Sequence, residues 1–109
     1  MTRSWRFLRG VYRTDADGRF EIRSVRPVPY PIPYDGPVGA LLKANARNWM
    51  RPGHMHVWLR HPGFKDLITH VFDTESDYLH DDAVFGVRDS LVCTFAPDAS
   101  GELSTTFDF

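Results

Sequence analysis

The sequence predicts a mainly β chain, an antiparallel β-sandwich carrying one short helix. Segments rich in β-branched and aromatic residues, bounded by Gly, Pro and Asp, outnumber segments with a helical period. They are short and recur at regular spacing, the pattern of stacked antiparallel sheets. With 109 residues, 42% of them hydrophobic, the chain has the size of one domain with a single core. No repeat, low-complexity tract or charge block divides it, so residues 1–109 are expected to form that one domain.

Residues 7–13 read as a strand and residues 19–25 as a second, with Phe20, Ile22 and Val25 as its apolar positions. Thr14-Asp15-Ala16-Asp17-Gly18 between them reads as a turn, completing a hairpin. Its Asp-Ala-Asp-Gly lacks the further acidic ligands and closing Glu of a calcium loop. The proline-rich stretch of residues 27–37 follows. Pro27, Pro29, Pro31 and Pro33 fix φ and remove backbone donors, which excludes a central strand and predicts a stiff extended loop that orients Tyr30 and Tyr34. Residues 38–46, with Leu41, Leu42 and Ala44, fit a helix of two or three turns. Residues 54–60 alternate strictly, and 67–72 and 90–95 are further strand candidates, with Pro62-Gly63 turning between the first two. Residues 73–82 are acidic and irregular. The tail from Pro97 reads as a loop ending in an edge strand, 104–109. Trp5, Trp49 and Trp58 read as packing residues.

Thirteen basic side chains against fourteen acidic ones give a formal charge of −1, which leaves no basic footprint for nucleic acid and no polybasic membrane patch. No apolar run approaches the ~20 residues of a membrane span, and Met1-Thr2-Arg3-Ser4-Trp5-Arg6 leads into no signal-peptide core. Cys93, the single cysteine, cannot form an internal disulfide. A cytoplasmic protein is the default expectation.

Chemistry concentrates in Arg51-Pro52-Gly53-His54-Met55-His56-Val57-Trp58. At i and i+2 of an alternating strand, His54 and His56 project from one face about 7 Å apart along the chain. That spacing suits two ligands of one cation, and imidazole suits zinc, copper, nickel or iron. It equally suits two histidines lining the polar face of a strand. A cupin-type metal enzyme also begins with His-x-His, but wants a Glu a few residues later, and residues 57–63 contain none.

Five ordered motifs extend this reading: Leu8-Arg9-Gly10; Thr14-Asp15-Ala16-Asp17-Gly18-Arg19; Tyr30-Pro31-Ile32-Pro33 followed by Asp35-Gly36-Pro37-Val38-Gly39; Arg51-Pro52-Gly53-His54-Met55-His56; and Asp82-Ala83-Val84-Phe85-Gly86-Val87. From about Leu8 to Val92 the chain resembles the intradiol ring-cleavage dioxygenases, non-haem iron(III) enzymes that open catechols between the two hydroxylated carbons. The Tyr-Pro-Ile-Pro form, Thr69-His70 and the Asp82 run are most similar to the hydroxyquinol and chlorocatechol 1,2-dioxygenase branch. The resemblance implies an Fe(3+) cofactor, an aromatic diol or triol and O2 as substrates, and a muconate- or maleylacetate-type product. It makes Tyr30 the axial tyrosinate that leaves iron when substrate binds, His54 an equatorial ligand and His56 the axial histidine. It places Arg51 near the substrate ring, where a fixed cation stabilises carbanion-like character. His70 falls where relatives carry a polar side chain near the dioxygen pocket, and Val38, Leu41 and Leu42 would line the aromatic pocket.

The family uses a second tyrosinate, upstream, after an N-terminal helical region used for dimerisation. The sequence is therefore expected to represent the C-terminal part of such a catalytic domain, without that region and the first strands. Tyr12, Tyr34 and Tyr78 sit at no matching family position. A partner subunit, in a homodimer or from another chain, or water would supply the further ligand. Where relatives have Gly-Arg-His-Pro-Trp-Arg-Pro, this chain has Ala46-Arg47-Asn48-Trp49-Met50-Arg51-Pro52, which leaves the substrate's shape open. The rival expectation is a truncated, non-catalytic β-sandwich binding module that retains the metal-site residues.

Overall fold

The computed structural model describes residues 9–109. In chain order these form β1 (Tyr30–Pro31), α1 (Pro37–Ala44), β2 (Met50–Arg51), β3 (His54–Leu59), β4 (Leu67–Asp73), a 3-10 turn (Asp89–Leu91), β5 (Val92–Cys93), β6 (Ala96–Pro97) and β7 (Leu103–Ser104). The chain is thus mainly β with one short α-helix, as the sequence predicts. Among the described residues no helix is long and apolar enough to cross a membrane.

The β3–β4 hairpin is the frame of the site. Its antiparallel register sets His54 opposite Phe72, His56 opposite His70 and Trp58 opposite Ile68. Opposed residues share a face, so all six side chains line one side of the hairpin. The turn closes where His61 O accepts the Phe64 N–H at 3.1 Å and Gly63 takes φ +86°, a conformation that costs glycine nothing. At the other end of the hairpin, Val71 and Phe72 point to opposite faces and both are buried, joined in the core by Leu42, Ala83 and Cys93. Burying each of these two large side chains contributes about 1.5–3 kcal/mol, so the end of β4 nearest His54 is the best anchored part of the sheet.

Several elements differ from expectation. The strand expected at 90–95 shrinks to Val92–Cys93 because Leu91 N–H bonds to Arg88 O at 2.8 Å, winding residues 89–91 into a 3-10 turn. The remaining strand pairs with β4 in parallel, Phe72 with Val92 and Asp73 with Cys93, so one of the four strand pairings among the described residues is not antiparallel. The edge strand expected at 104–109 is only Leu103–Ser104, paired with β6 across a turn in which Asp98 Oδ1 accepts the Ser100 and Glu102 N–H groups. The turn at residues 14–18 forms as expected, with Asp15 Oδ1 accepting from Asp17 and Arg19 and Gly18 at φ +78°. Residues 9–25, however, contain no strand. An isolated pair of strands is marginal in water, and here Val11, Phe20 and Ile22 remain exposed instead of packing on a third. Residues 7 and 8 of that expected strand, and Trp5, lie outside the described residues.

Helix α1 starts with proline in its first turn and stops at Ala44, two residues earlier than predicted. Ala46 adopts φ +51°, which lets the Arg47 N–H reach Leu42 O at 2.9 Å and the Ala46 N–H reach Lys43 O at 3.1 Å. These two bonds are a Schellman closure, and the Asn45 side chain adds a third to Leu41 O at 2.8 Å.

An ion pair ties the start of the proline loop to the sheet: Arg26 Nε donates to the buried carboxylate of Asp73 at 2.5 Å, and Arg26 Nη2 reaches Glu75 at 2.9 Å. Burial alone would raise the Asp73 pKa, but the Arg26 and Glu75 N–H bonds outweigh it and hold the pKa below the usual carboxylate range. A depressed carboxylate pKa adds stability above its unfolded value near 4 and loses it as pH falls through the folded value. Arg26→Ala should therefore melt at a lower temperature than the wild type at pH 7, with the gap narrowing below about pH 4. Melting curves at pH 7 and pH 3 check this; a gap of equal size at both would assign the loss to packing instead.

Candidate metal centre

The stiffness of the proline loop places the first candidate ligand. Two residues of it pair as β1 with β2, Tyr30 opposite Arg51, and the Ile32 N–H continues the contact to Trp49 O at 2.9 Å. Pro29 and Pro31 have no N–H to offer, which keeps this pairing short and at an edge. The chain then turns through Pro52-Gly53 into β3. A Cβ at Gly53 would come within 2.7 Å of Pro27 O, so glycine is what allows the loop and the site strand to touch. The Gly53 N–H is held by Ser76 Oγ at 2.6 Å.

Three imidazoles meet beyond that turn. Donor atoms of His54, His56 and His70 all lie within 4.8 Å of one another, and the rings of His56 and His70 are 4.4 Å apart. The Tyr30 ring lies 5.5 Å from that of His54, and Phe72 packs 5.3 Å from it on the core side. His54 Nδ1 bonds to Pro52 O at 2.7 Å, which makes Nδ1 the protonated nitrogen and leaves Nε2 with its lone pair. Burial lowers the pKa of His54, and the positive Arg51 and neighbouring His56 lower it further. Burial lowers that of His70 as well, with His56 and His54 adding to it. Both are thereby kept as neutral imidazoles near pH 7, the form that binds metals.

Arg51 borders this cluster. Its Nη1 donates toward His54 Nε2 at 3.2 Å, while Nε and Nη2 make a two-pronged pair with Asp82 at 3.0 and 3.2 Å. Both residues are buried, at 6% and 4% exposure. Burial would lower the Arg51 pKa, but the Asp82 carboxylate, with the nearby Tyr30 phenol, outweighs it and the guanidinium stays charged. The Asp82 carboxyl, which burial alone would push up, is held low by Arg51 and by the Gly86 and Val84 N–H groups.

Tyr30, Arg51, His54 and His56 are thus brought together with His70, the residue the resemblance sets near the dioxygen pocket, which arrives through the β3–β4 register and so depends on the length of the turn. One residue more joins them. From sequence Asp82 is only the start of a motif at the end of an acidic, irregular run; the signal that points to it is Arg51, a cation that follows the apolar Trp49 and Met50 and needs a counter-ion. Other candidates fall elsewhere. Tyr34 stacks on Trp49 at 4.7 Å, Tyr78 sits at φ +66° in the 73–82 segment, and Tyr12 lies against Gly10. Leu42 is part of the core, whereas Val38 and Leu41 are open to solvent. Trp58, expected to pack in the core, is 60% exposed. It stands on the hairpin face past the histidines, where its indole N–H bonds to Asp66 at 2.9 Å and Arg60 lies over its ring.

The family profile described as Dioxygenase matches residues 2–109. A 6-chlorohydroxyquinol 1,2-dioxygenase from Cupriavidus pinatubonensis is 46% identical over 101 residues, 93% of this chain and 37% of that protein. A hydroxyquinol 1,2-dioxygenase from a Rhizobium species is 50% identical over 88 residues, 81% of this chain and 30% of that protein. The crystal structure of a 3-chlorocatechol 1,2-dioxygenase from Rhodococcus opacus superimposes with a TM-score of 0.79 at 32% identity, covering 87% of this chain and 38% of that one. That of a hydroxyquinol 1,2-dioxygenase from Pseudomonas putida gives 0.74 at 44% identity, covering 82% and 32%. The sandwich expected from the sequence is the fold these neighbours share. The chain spans about a third of the length of the curated relatives it matches.

Proposed function

Because the chain belongs to the intradiol ring-cleavage dioxygenase family, we propose that it carries the metal-binding and charge-stabilising half of a site that opens a catechol-type ring between its two hydroxylated carbons with O2. The product is a muconate- or maleylacetate-type dicarboxylate. The names of the relatives favour a hydroxyquinol or a chlorinated catechol as the ring. The observation that supports this reading most is the convergence of Tyr30, His54 and His56 on one side of the β3–β4 hairpin, with Arg51 at its edge.

The donor set fits iron(III). Two imidazoles and a phenol are ligands that stabilise the oxidised ion, and a bound cation deprotonates a phenol whose pKa is otherwise near 10. Tyr30, His54 and His56 would hold iron(III), which would supply Lewis acidity toward the diol and make the electron-rich ring reactive toward dioxygen. The remaining steps fall to the chain's own residues. Tyr30, on an exposed edge and joined to the sheet by only two residues, can swing away and accept a proton from a substrate hydroxyl at its phenolic oxygen. His54 stays fixed by its Nδ1–H bond to Pro52 O, the outer contact that orients a ligating imidazole. Arg51 supplies a permanent, desolvated positive charge where the ring gains negative character. His70 offers a polar nitrogen on the same face, next to His56.

Iron analysis with a visible spectrum is the test. The purified chain should hold iron and show the red-brown colour of tyrosinate-to-iron charge transfer, and Tyr30→Phe should bleach that band while His54 and His56 still retain metal. Oxygen uptake with hydroxyquinol, chlorocatechol and catechol in turn then identifies the ring. Colourless protein that takes up no iron on reconstitution would favour the non-catalytic binding module.

A further inference from the structure

We propose that Asp82 is the positioning residue for Arg51: it fixes where the guanidinium stands against the histidine cluster and hence against the reacting ring. The inference rests on the proposed function, and it concerns a residue that touches neither metal ligand nor substrate.

The geometry is that of a clamp. Asp82 Oδ1 takes Arg51 Nε and the Val84 N–H, and Oδ2 takes Arg51 Nη2 and the Gly86 N–H. Both carboxylate oxygens are therefore fully engaged, and the planar fork of Arg51 is held in two directions at once. Only Nη1 is left to face the site, and it points at His54 Nε2.

The loop that carries the clamp is itself fastened to the segment that carries Arg51. The Ala83 N–H bonds to Met50 O at 3.0 Å, Asn48 Nδ2 bonds to Asp81 O at 2.8 Å, and Arg47 Nη2 bonds to Asp82 O at 3.2 Å. Arg47 also stacks over the Phe85 ring at 3.9 Å, where Phe85 holds φ +56°. A lone buried ion pair contributes little net stability, because desolvating two charges offsets their attraction. So many fastenings on one carboxylate are better explained by the accuracy with which Arg51 must be placed. Gly86 completes the device: a Cβ there would meet Arg51 Nη2 at 2.8 Å and Asp82 Oδ2 at 3.1 Å, so glycine leaves the guanidinium its room.

The test compares iron-loaded wild type, Asp82→Asn and Gly86→Ala. Asp82→Asn removes the charge and sets an amide against the guanidinium. Gly86→Ala keeps every ionic partner and displaces Arg51, and it needs no unusual backbone conformation, so it covers the case in which Asp82→Asn does not fold. Misplacing a catalytic group by about 1 Å can cost on the order of 100-fold, so kcat should fall by about 10- to 100-fold in either variant. Arg51 acts on charge that develops in the transition state, so KM, iron content and affinity for the unreactive analogue 4-nitrocatechol should stay near wild-type values. A lowered melting temperature with unchanged kcat in a folded variant would make the clamp purely structural and overturn the inference, while wild-type turnover kept the functional reading intact. Wild type that neither holds iron nor consumes oxygen would remove the functional reading, and the role of Asp82 with it.

Discussion

His54→Ala is expected to leave a folded protein that no longer retains iron. Two features make this the most damaging single change to the site. The imidazole is oriented by the Pro52 carbonyl before any metal arrives, and its unprotonated Nε2, which accepts from Arg51 Nη1, belongs to a ring that lies against those of Tyr30 and His56. Loss of an outer contact of this kind typically costs about 10- to 100-fold in metal affinity, and loss of the ligand itself should exceed ~100-fold. Folding should survive, because His54 is only half-buried and the core residue on its face, Phe72, is untouched. The readouts are iron per chain after dialysis against a chelator and the effect of added iron on melting. A ligand present at 100 times its Kd stabilises by roughly 2.7 kcal/mol, so wild type should melt higher with iron and His54→Ala should not respond. His70→Ala is the comparison: as a flanking imidazole its loss should lower affinity less than that of His54. Equal iron and equal colour in His54→Ala would contradict the ligand assignment.

What could be read from the sequence divides along the range of the interactions involved. The His54–His56 pair was legible because strand alternation is local: two positions on, the side chain returns to the same face. The stiffness around Tyr30 was legible because proline acts on its own residue. The pattern of Leu41, Leu42 and Ala44 shows helix α1 but not its end, which comes two residues before 46 because Ala46 accepts a left-handed conformation that its residue type does not advertise. The arrival of His70 needed the register of β3 on β4, which the seven residues between Leu59 and Leu67 decide. Asp82 and Asp73 were hidden for a related reason. Each looks like part of an acidic surface until its arginine, 31 or 47 residues earlier, is brought beside it. Residues 9–25 show the converse, a locally sound hairpin pattern in which only the turn, held by Asp15 and Gly18, is realised.

Gly39→Ala is expected to cost about 3 kcal/mol or more of stability. Helix propensity argues the other way, since alanine is favoured over glycine by about 1 kcal/mol within a helix. Packing decides the sign. Gly39 is buried in the first turn of α1, and a Cβ there would overlap the carbonyl group of Tyr34. The obstacle is backbone, so no side-chain rotation relieves it. Neither side can yield easily: Pro37 fixes the start of the helix, and Pro31 and Pro33 stiffen the loop that delivers Tyr34. If the loop is forced outward, the strain travels along those prolines to Tyr30, four residues from Tyr34. The substitution should therefore lower the melting temperature by more than about 10 °C for a domain of this size. In the fraction that folds it should also weaken the tyrosinate band, although no metal ligand has been changed. Calorimetry and the visible spectrum on one preparation check both effects. A lower melting temperature with an undiminished band would confine the strain to the helix, and an unchanged melting temperature would mean that the Tyr34 carbonyl gives way at no cost.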